Sequence, residues 1–335
     1  MRLENLLALT YGTVVNDPFV KDFNTIVFDA SKVKRGDLFI AFDEKMIDQA
    51  IVNGAYGVIF DKPTQISDTE IAWIKVSDIE DALIRLLRFR LIEKETTVYE
   101  TNEIVLKLAL QVMTESKFIA VSGQIEAIVK ELWDIEHSST ILFCPTLTPK
   151  EIFTDIKKIV PSSVDSINVI EQTLFETSFI YDNIFYERQL LSPFFIPYLE
   201  ELLYLLKSIK VNFRLKKFMQ IDHFEAVFTN KNFEIKEFGT SDKVLIFEKS
   251  TMLIEKEISF LQEQANWARL VYIVPQELEK RLENKNDIIS YKTENEILNI
   301  LKSLSFHFAL IVGVNKSILT KPLTNQAEIS LFDFE

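Results

Sequence analysis

Residues 118–132 read Phe-Ile-Ala-Val-Ser-Gly-Gln-Ile-Glu-Ala-Ile-Val-Lys-Glu-Leu. The apolar run 118–121 predicts a short buried strand. A Ser-Gly pair follows, and residues 126–133 have helical character. Strand, glycine turn and helix is the layout of a phosphate-binding loop. The chemistry of such a loop is absent. Several glycines are needed for backbone N–H groups to converge on phosphate oxygens. A lysine must reach the β/γ-phosphates, and a Ser/Thr hydroxyl must meet Mg²⁺. Only Gly123 is present, and Glu126, Ala127 and Ile128 stand where Gly-Lys-Ser/Thr would fall. Glu126 would repel a triphosphate, and Ile128 has no hydroxyl. From these residues alone two readings stand, an ordinary strand-to-helix turn or a nucleotide site that has decayed.

Composition narrows the rest. A chain of 335 residues is long for one core, so two or three domains are expected. With 7 glycines there is little room for a second phosphate loop. The formal charge of −13 argues against a nucleic-acid partner, which needs a basic face. It also argues against adhesion to an anionic membrane. No apolar run approaches the roughly 18 residues of a membrane span. Glu4 interrupts the N-terminal stretch, so no export signal is read. Cys144 is the single cysteine, which leaves no internal disulfide and suits a cytoplasmic setting. His137, His223 and His307 are far apart in sequence, against a zinc site built from them.

The N-terminal 25 residues predict a helix and a hairpin ending at Phe23. Strands are expected over 25–29, 37–42, 56–60 and 72–76, the third ended by Asp61-Lys-Pro63. A helix over 46–53 closes on Gly54 as its C-cap. Asp78 caps a helix that carries Ala82, Leu83, Leu86 and Leu87 on one face. A link and a helix over 101–113 lead to the opening stretch. A hairpin over 175–186 turns at Asp182-Asn183, and an amphipathic helix covers 197–209. Strands over 224–228, 233–238, 243–248, 269–274, 287–291 and 308–312 alternate late in the chain with helices over 252–264, 276–284 and 294–304. A turn lies at 239–242. That alternation implies a parallel α/β sheet.

The N-terminal order carries Asp29, then Gly36-Asp-Leu-Phe-Ile-Ala41, Ala50-Ile-Val-Asn-Gly-Ala-Tyr-Gly-Val-Ile-Phe60 and Asp78-Ile-Glu-Asp-Ala-Leu83. This run resembles the N-terminal domain of the Mur ligases, closest to those that add D-Ala-D-Ala or the third residue to the UDP-muramyl peptide. Ala30-Ser31 falls on the family's Ser-Arg, and only Phe42-Asp-Glu-Lys45 remains of its uridine-holding loop. Val121-Ser-Gly123 matches the start of the family's Thr-Gly-x-Asn-Gly-Lys-Thr loop, with Ala127 in place of the lysine. Thr140-Ile-Leu-Phe-Cys-Pro-Thr-Leu-Thr148 lacks the glycine of its counterpart. Ser192-Pro-Phe-Phe-Ile-Pro197 stands for Pro-Gly-x-His-Asn. Leu245-Ile-Phe-Glu-Lys-Ser250 and Leu310-Ile-Val-Gly-Val-Asn-Lys-Ser317 take the places of the substrate-closing motifs of the C-terminal domain. The resemblance implies an α/β chain in a three-domain Mur-ligase-like arrangement. An N-terminal domain would span 1–112, a shortened central domain with a degenerate phosphate loop 113–239, and a Rossmann-like domain 240–335.

Other candidates for chemistry have plainer readings. Glu171 stands where the family's acidic metal ligand would fall, without a following histidine, and reads better as a strand-end surface carboxylate. Glu225, Glu234, Glu237 and Glu248 read as a solvated sheet face. His223 reads as a turn or edge histidine. Cys144, between Phe143 and Pro145, reads as a buried inert thiol. Phe175, Phe179, Tyr181, Phe185 and Tyr186 read as the core face of the hairpin, and the helix near Tyr198 as core. No residue is assigned a catalytic, cofactor-binding or metal-binding role. The expectation is a non-catalytic Mur-ligase relative, a binding or scaffold protein with a protein partner, set near peptidoglycan synthesis. It would have neither nucleic-acid partner nor membrane insertion. The alternative is a divergent ATP-dependent amide ligase acting on a UDP-muramyl peptide, which needs a phosphate site elsewhere.

Overall fold

The computed structural model describes residues 1–62, 64–159, 166–238, 240–282 and 287–319. Pro63, the turn at Gly239 and the helix end at Asn284 fall outside the described residues. The apolar runs resolve into separate sheets. The first takes strands Thr13–Val14, Ala72–Lys75, Gly57–Phe60, Leu38–Ile40 and Ile26–Val27 in that spatial order. All neighbours in it run parallel except the first pair. The second is parallel throughout, ordered Ile156–Lys158, Thr97–Glu100, Thr140–Phe143, Phe118–Val121. A three-stranded antiparallel meander covers Asn168–Gln172, Thr177–Tyr181 and Ile184–Gln189. The last sheet has an antiparallel edge strand, Glu225–Thr229, followed by parallel Lys243–Glu248, Phe308–Val312, Leu270–Pro275 and Ile288–Tyr291.

By compactness the chain divides into two units, Met1–Pro161 with Leu203–Arg214, and Ser162–Leu202 with Leu215–Glu335. These edges do not coincide with the boundaries expected at 112 and 239. One apolar core runs through the first unit from Leu6 to Phe153, across residue 112. In the second unit the C-terminal sheet draws its edge strand from Glu225–Thr229, ahead of residue 240.

Local sequence explains most of the elements. The Asp78 carboxylate accepts the N–H of Asp81 and starts the helix Ile79–Glu93, which buries Ala82, Leu83, Leu86 and Leu87. Gly54 follows the helix Ile47–Val52 at φ +101, the left-handed conformation that ends helices. Asp182 and Asn183, at φ 53 and 63, make the two-residue turn that matches strand twist in a hairpin. The helix near Tyr198, Ile196–Ser208, contributes Leu199, Leu202, Leu203, Leu205 and Leu206 to burial.

Three local expectations are corrected. Thr13–Val14 forms no hairpin, because its partner is the distant strand Ala72–Lys75, in the register Thr13↔Lys75, Val14↔Ile74. Residues 233–238 are not a strand. The Asn230 side chain accepts the N–H groups of Asn232 and Glu234 and folds the segment into a turn, leaving one bridge, Thr229↔Ile235. The helix expected over 101–113 is confined to Glu103–Ala109, and the strand Thr97–Glu100 precedes it.

An alanine at Gly54 would hold φ +101 with a Cβ 3.0 Å from the Arg35 Cα. We therefore expect Gly54→Ala to destabilise by roughly 1–3 kcal/mol. Urea unfolding would measure it, and an unchanged midpoint would contradict the packing described.

Candidate functional site

The turn between Phe118–Val121 and the helix Ile125–Leu132 is set by both neighbours. The strand lies at one edge of the second sheet, paired with Thr140–Phe143. The helix presents Ile125, Ile128, Val129 and Leu132 to the core on a 3–4 residue spacing. Between them Gly123 takes φ +122, with nothing within 4 Å of where a Cβ would stand. Open space at the turn is one requirement for an anion site. The others are unmet. The Gly123 N–H donates to the Leu147 carbonyl at 3.1 Å and so is not free for a phosphate oxygen. Ala127 is exposed and carries no charge. Glu126 is ion-paired with Lys130 one helical turn on. Ile128 has no exposed surface at all. A hydroxyl here would lie in the core rather than face a cation. The residues present therefore do not fit Mg²⁺·ATP.

Beside this helix is a cleft of about 650 Å³ within the first unit, bordered by Phe28, Asp29, Lys32, Phe42, Lys130 and Trp133. Its aromatic wall is ordered by contact. Phe28 meets Trp133 edge-on at 5.5 Å between ring centres, and the Lys130 ammonium sits 5.4 Å from the Phe42 ring centre. Asp29 lies on this cleft. Hydrogen bonds from the Ser31 hydroxyl at 2.7 Å and its N–H at 2.9 Å hold the Asp29 carboxyl below the ordinary carboxylate range. Asp29 is therefore engaged in capping the short turn Ala30–Lys32, with Ser31 as its donor.

The remaining candidates separate. Glu171 is exposed on the meander, at an irregularity in its pairing. Glu225 pairs with Lys316 at 2.8 Å, and Glu234 with Asn230 and Lys236. Glu237 is exposed. Cys144 is buried with its Sγ 3.1 Å from the Thr146 hydroxyl. Phe179 and Tyr181 are buried, and Tyr186 stacks on Phe179 at 5.2 Å. Phe175 packs against Phe224, Phe228 and Phe308. Phe185 is a correction. It pairs across the strands with Ile180 and is 53% exposed, on the face opposite Phe179.

Glu248 and His223 are the larger correction. Glu248 is not on a solvated face. It is fully buried, and so is His223 beside it. Imidazole Nδ1 is 2.8 Å from Glu248 Oε1. The N–H groups of Ser250 and Phe224 donate to Glu248 Oε1 and Oε2 at 2.6 and 3.0 Å. Burial pushes the Glu248 carboxyl up, but the bonds from His223 and Ser250, with the neighbouring Glu257, outweigh it and hold it below the ordinary value. Glu257, from the helix Ile254–Gln264, is the companion that sequence reasoning missed, and it too is fully buried. One signal was available. Glu257 lies between Ile254, Ile258 and Leu261 on the apolar stripe of its helix, where an acid is out of place. Among the described residues no group of three His, Cys, Asp or Glu is arranged to hold a metal ion.

A scan against family models finds no match, and a sequence search of curated proteins finds none either. Solved structures do match. A crystal structure of MurF from Acinetobacter baumannii aligns over 93% of this chain and 95% of its own, with a TM-score of 0.51 at 10% identity. MurF from Thermotoga maritima, solved in complex with ADP, aligns over 88% of this chain and 95% of its own, with a TM-score of 0.48 at 12% identity. The chain has a Mur-ligase-like fold. At this identity the likeness is one of architecture, and the site must be judged on its own residues.

Placing a hydroxyl at residue 128, where the phosphate-loop pattern would have its Ser/Thr, tests the burial directly. Ile128→Thr should cost about 1–3 kcal/mol, since the hydroxyl enters an apolar core. It should confer no Mg²⁺·ATP binding. Urea unfolding and calorimetry read the two effects, and a neutral substitution would mean that the side chain faces the turn.

Proposed function

We propose that this protein is a non-catalytic binding protein built on the Mur-ligase fold. The observation that carries the reading is the fully buried Ile128. The element that would have to present a hydroxyl to Mg²⁺ spends that position on the core. Phosphoryl transfer is catalysed almost entirely by positioning and electrostatic stabilisation. A turn with no lysine at residue 127, no hydroxyl at residue 128 and its glycine N–H engaged supplies neither. The work of the chain is then recognition, with the aromatic-walled cleft of the first unit as a place for a ligand and a protein partner as the expected second component. The connection to peptidoglycan synthesis and a cytoplasmic setting are inferred from the Mur-ligase resemblance. Among the described residues no helix is long and apolar enough to cross a membrane.

Titration calorimetry with Mg²⁺·ATP should give no binding heat at micromolar protein concentrations. Incubation with UDP-muramyl peptides, an amine substrate and ATP should release no ADP above the protein-free rate. Saturable ATP binding with peptide-dependent ADP release would establish the divergent ligase instead.

A further inference from the structure

The second unit buries three titratable side chains against one another, and nothing in the functional reading uses them. Glu248 ends the strand Lys243–Glu248, Glu257 lies one turn into the helix Ile254–Gln264, and His223 precedes the edge strand Glu225–Thr229. His223 is 1% exposed and both glutamates 0%. The Glu248 carboxylate is well served, with one oxygen facing His223 and Ser250 N–H and the other facing Phe224 N–H. It thereby ties the approach to the edge strand to the turn that leaves its own strand. Phe224 sits at φ 45, a conformation that a bulky residue holds only when its surroundings fix it. Glu257 is in the opposite condition. Among the described residues no donor reaches either of its oxygens, and the group that acts on it is the Glu248 carboxylate, through its charge and through a hydrogen bond that only a protonated Glu257 can donate. An ionised Glu257 would be an unpaired buried charge beside a like charge, an arrangement that folded proteins avoid by keeping the group neutral.

We infer that Glu257, Glu248 and His223 form a proton-held latch, in which the neutral Glu257 carboxyl keeps the Glu248 carboxylate clamped on His223, Phe224 and Ser250. Removing the Glu257 proton sets two carboxylates against each other in the interior, and the separation they require opens the corner at 223–224 and the turn at 249–250. Burial, reinforced by the Glu248 charge, raises the Glu257 carboxyl well above its usual range. A group whose folded-state pKa is raised contributes stability that is complete below its unfolded pKa and is lost as pH rises through its folded pKa. The latch therefore releases toward alkaline pH. Other charged and titratable groups lie around it. Tyr272, on the strand Leu270–Pro275 against which the helix packs, is pushed up to about 12 by burial and by Asp287. Glu255 and Lys256 on the same helix are exposed, Glu255 pairing with Arg281. Lys249 and Asp222 pair with each other at the surface.

The test uses the full chain and the variant Glu257→Gln, which keeps the shape and cannot ionise. Hydrogen exchange is followed between about pH 6 and pH 9, corrected for intrinsic base catalysis. In the parent chain, segments containing Phe224 and Ser250 should lose protection by tenfold or more as pH rises. In Glu257→Gln they should keep it. Infrared difference spectra between parent and variant at neutral pH should show the band of one neutral carboxylic acid in the parent only. If Glu257→Gln fails to fold, the infrared band is read in the parent after global ¹³C-glutamate labelling, and its disappearance should track the loss of protection. Identical exchange profiles in parent and variant, or no neutral-acid band in the folded parent, would overturn the latch.

Discussion

The apolar face of the helix Ile125–Leu132 governs what the first unit can do. Ile125, Ile128, Val129 and Leu132 join a core that also holds Leu6, Ile40, Ile59 and Ile74 from the N-terminal part of the chain. Each such side chain is worth roughly 1.5–3 kcal/mol when fully buried, as an upper value. The helix begins directly after the glycine turn, so its rotation about its own axis fixes which side chains face that turn. With residue 128 pointing inward, residue 127 faces out, and there the sequence supplies alanine. Core packing and anion binding thus compete for the same few positions. In this chain packing has them, and the one glycine N–H of the turn is engaged by the Leu147 carbonyl.

The second unit shows the same economy of position with a different result. Strand Lys243–Glu248 is buried along nearly its whole length, and helix Ile254–Gln264 lays Ile254, Ile258 and Leu261 on the sheet. The seam between strand end and helix is closed by side chains that are not apolar. Glu248 is accommodated because three donors converge on it. Glu257 is accommodated only as a neutral acid. A low-dielectric seam that contains one satisfied carboxylate can tolerate a second carboxyl group, but not a second charge.

Long periodic segments were legible in the sequence, and short ones that depend on distant partners were not. Lys243–Glu248 and Phe308–Val312 fall on the residues that the apolar runs predict. Asp78, Gly54 and Asp182-Asn183 act through local backbone chemistry, which needs no tertiary context. Thr13–Val14 is a two-residue strand whose identity comes entirely from the edge offered by Ala72–Lys75. Residues 233–238 carry strand-forming side chains but are captured by Asn230, a competition between side chain and ladder that composition does not reveal. At the phosphate-loop position the missing chemistry was plain from residue types, while the fate of the Gly123 N–H required coordinates. Glu248 was misplaced for a related reason. Alternation identifies the end of a strand, but not the histidine from residue 223 that covers it.

These observations separate two sets of requirements that a fold of this kind ordinarily meets together. The frame needs apolar strands, capped helices and left-handed corners, and it retains them in Gly36 at φ +96 and Gly54 at φ +101. A phosphate site needs glycines that bring N–H groups inward, a lysine and a hydroxyl, all at a loop. Replacing those loop residues leaves the strands and their burial untouched, and it removes conformational freedom that glycine would add to the unfolded chain. The Mur-ligase-like architecture therefore carries no intrinsic dependence on ATP. Such an architecture can stand beside a turn unsuited to phosphate because core and loop draw on different residues, and on the function proposed above the aromatic-walled cleft beside that turn is the place for a ligand.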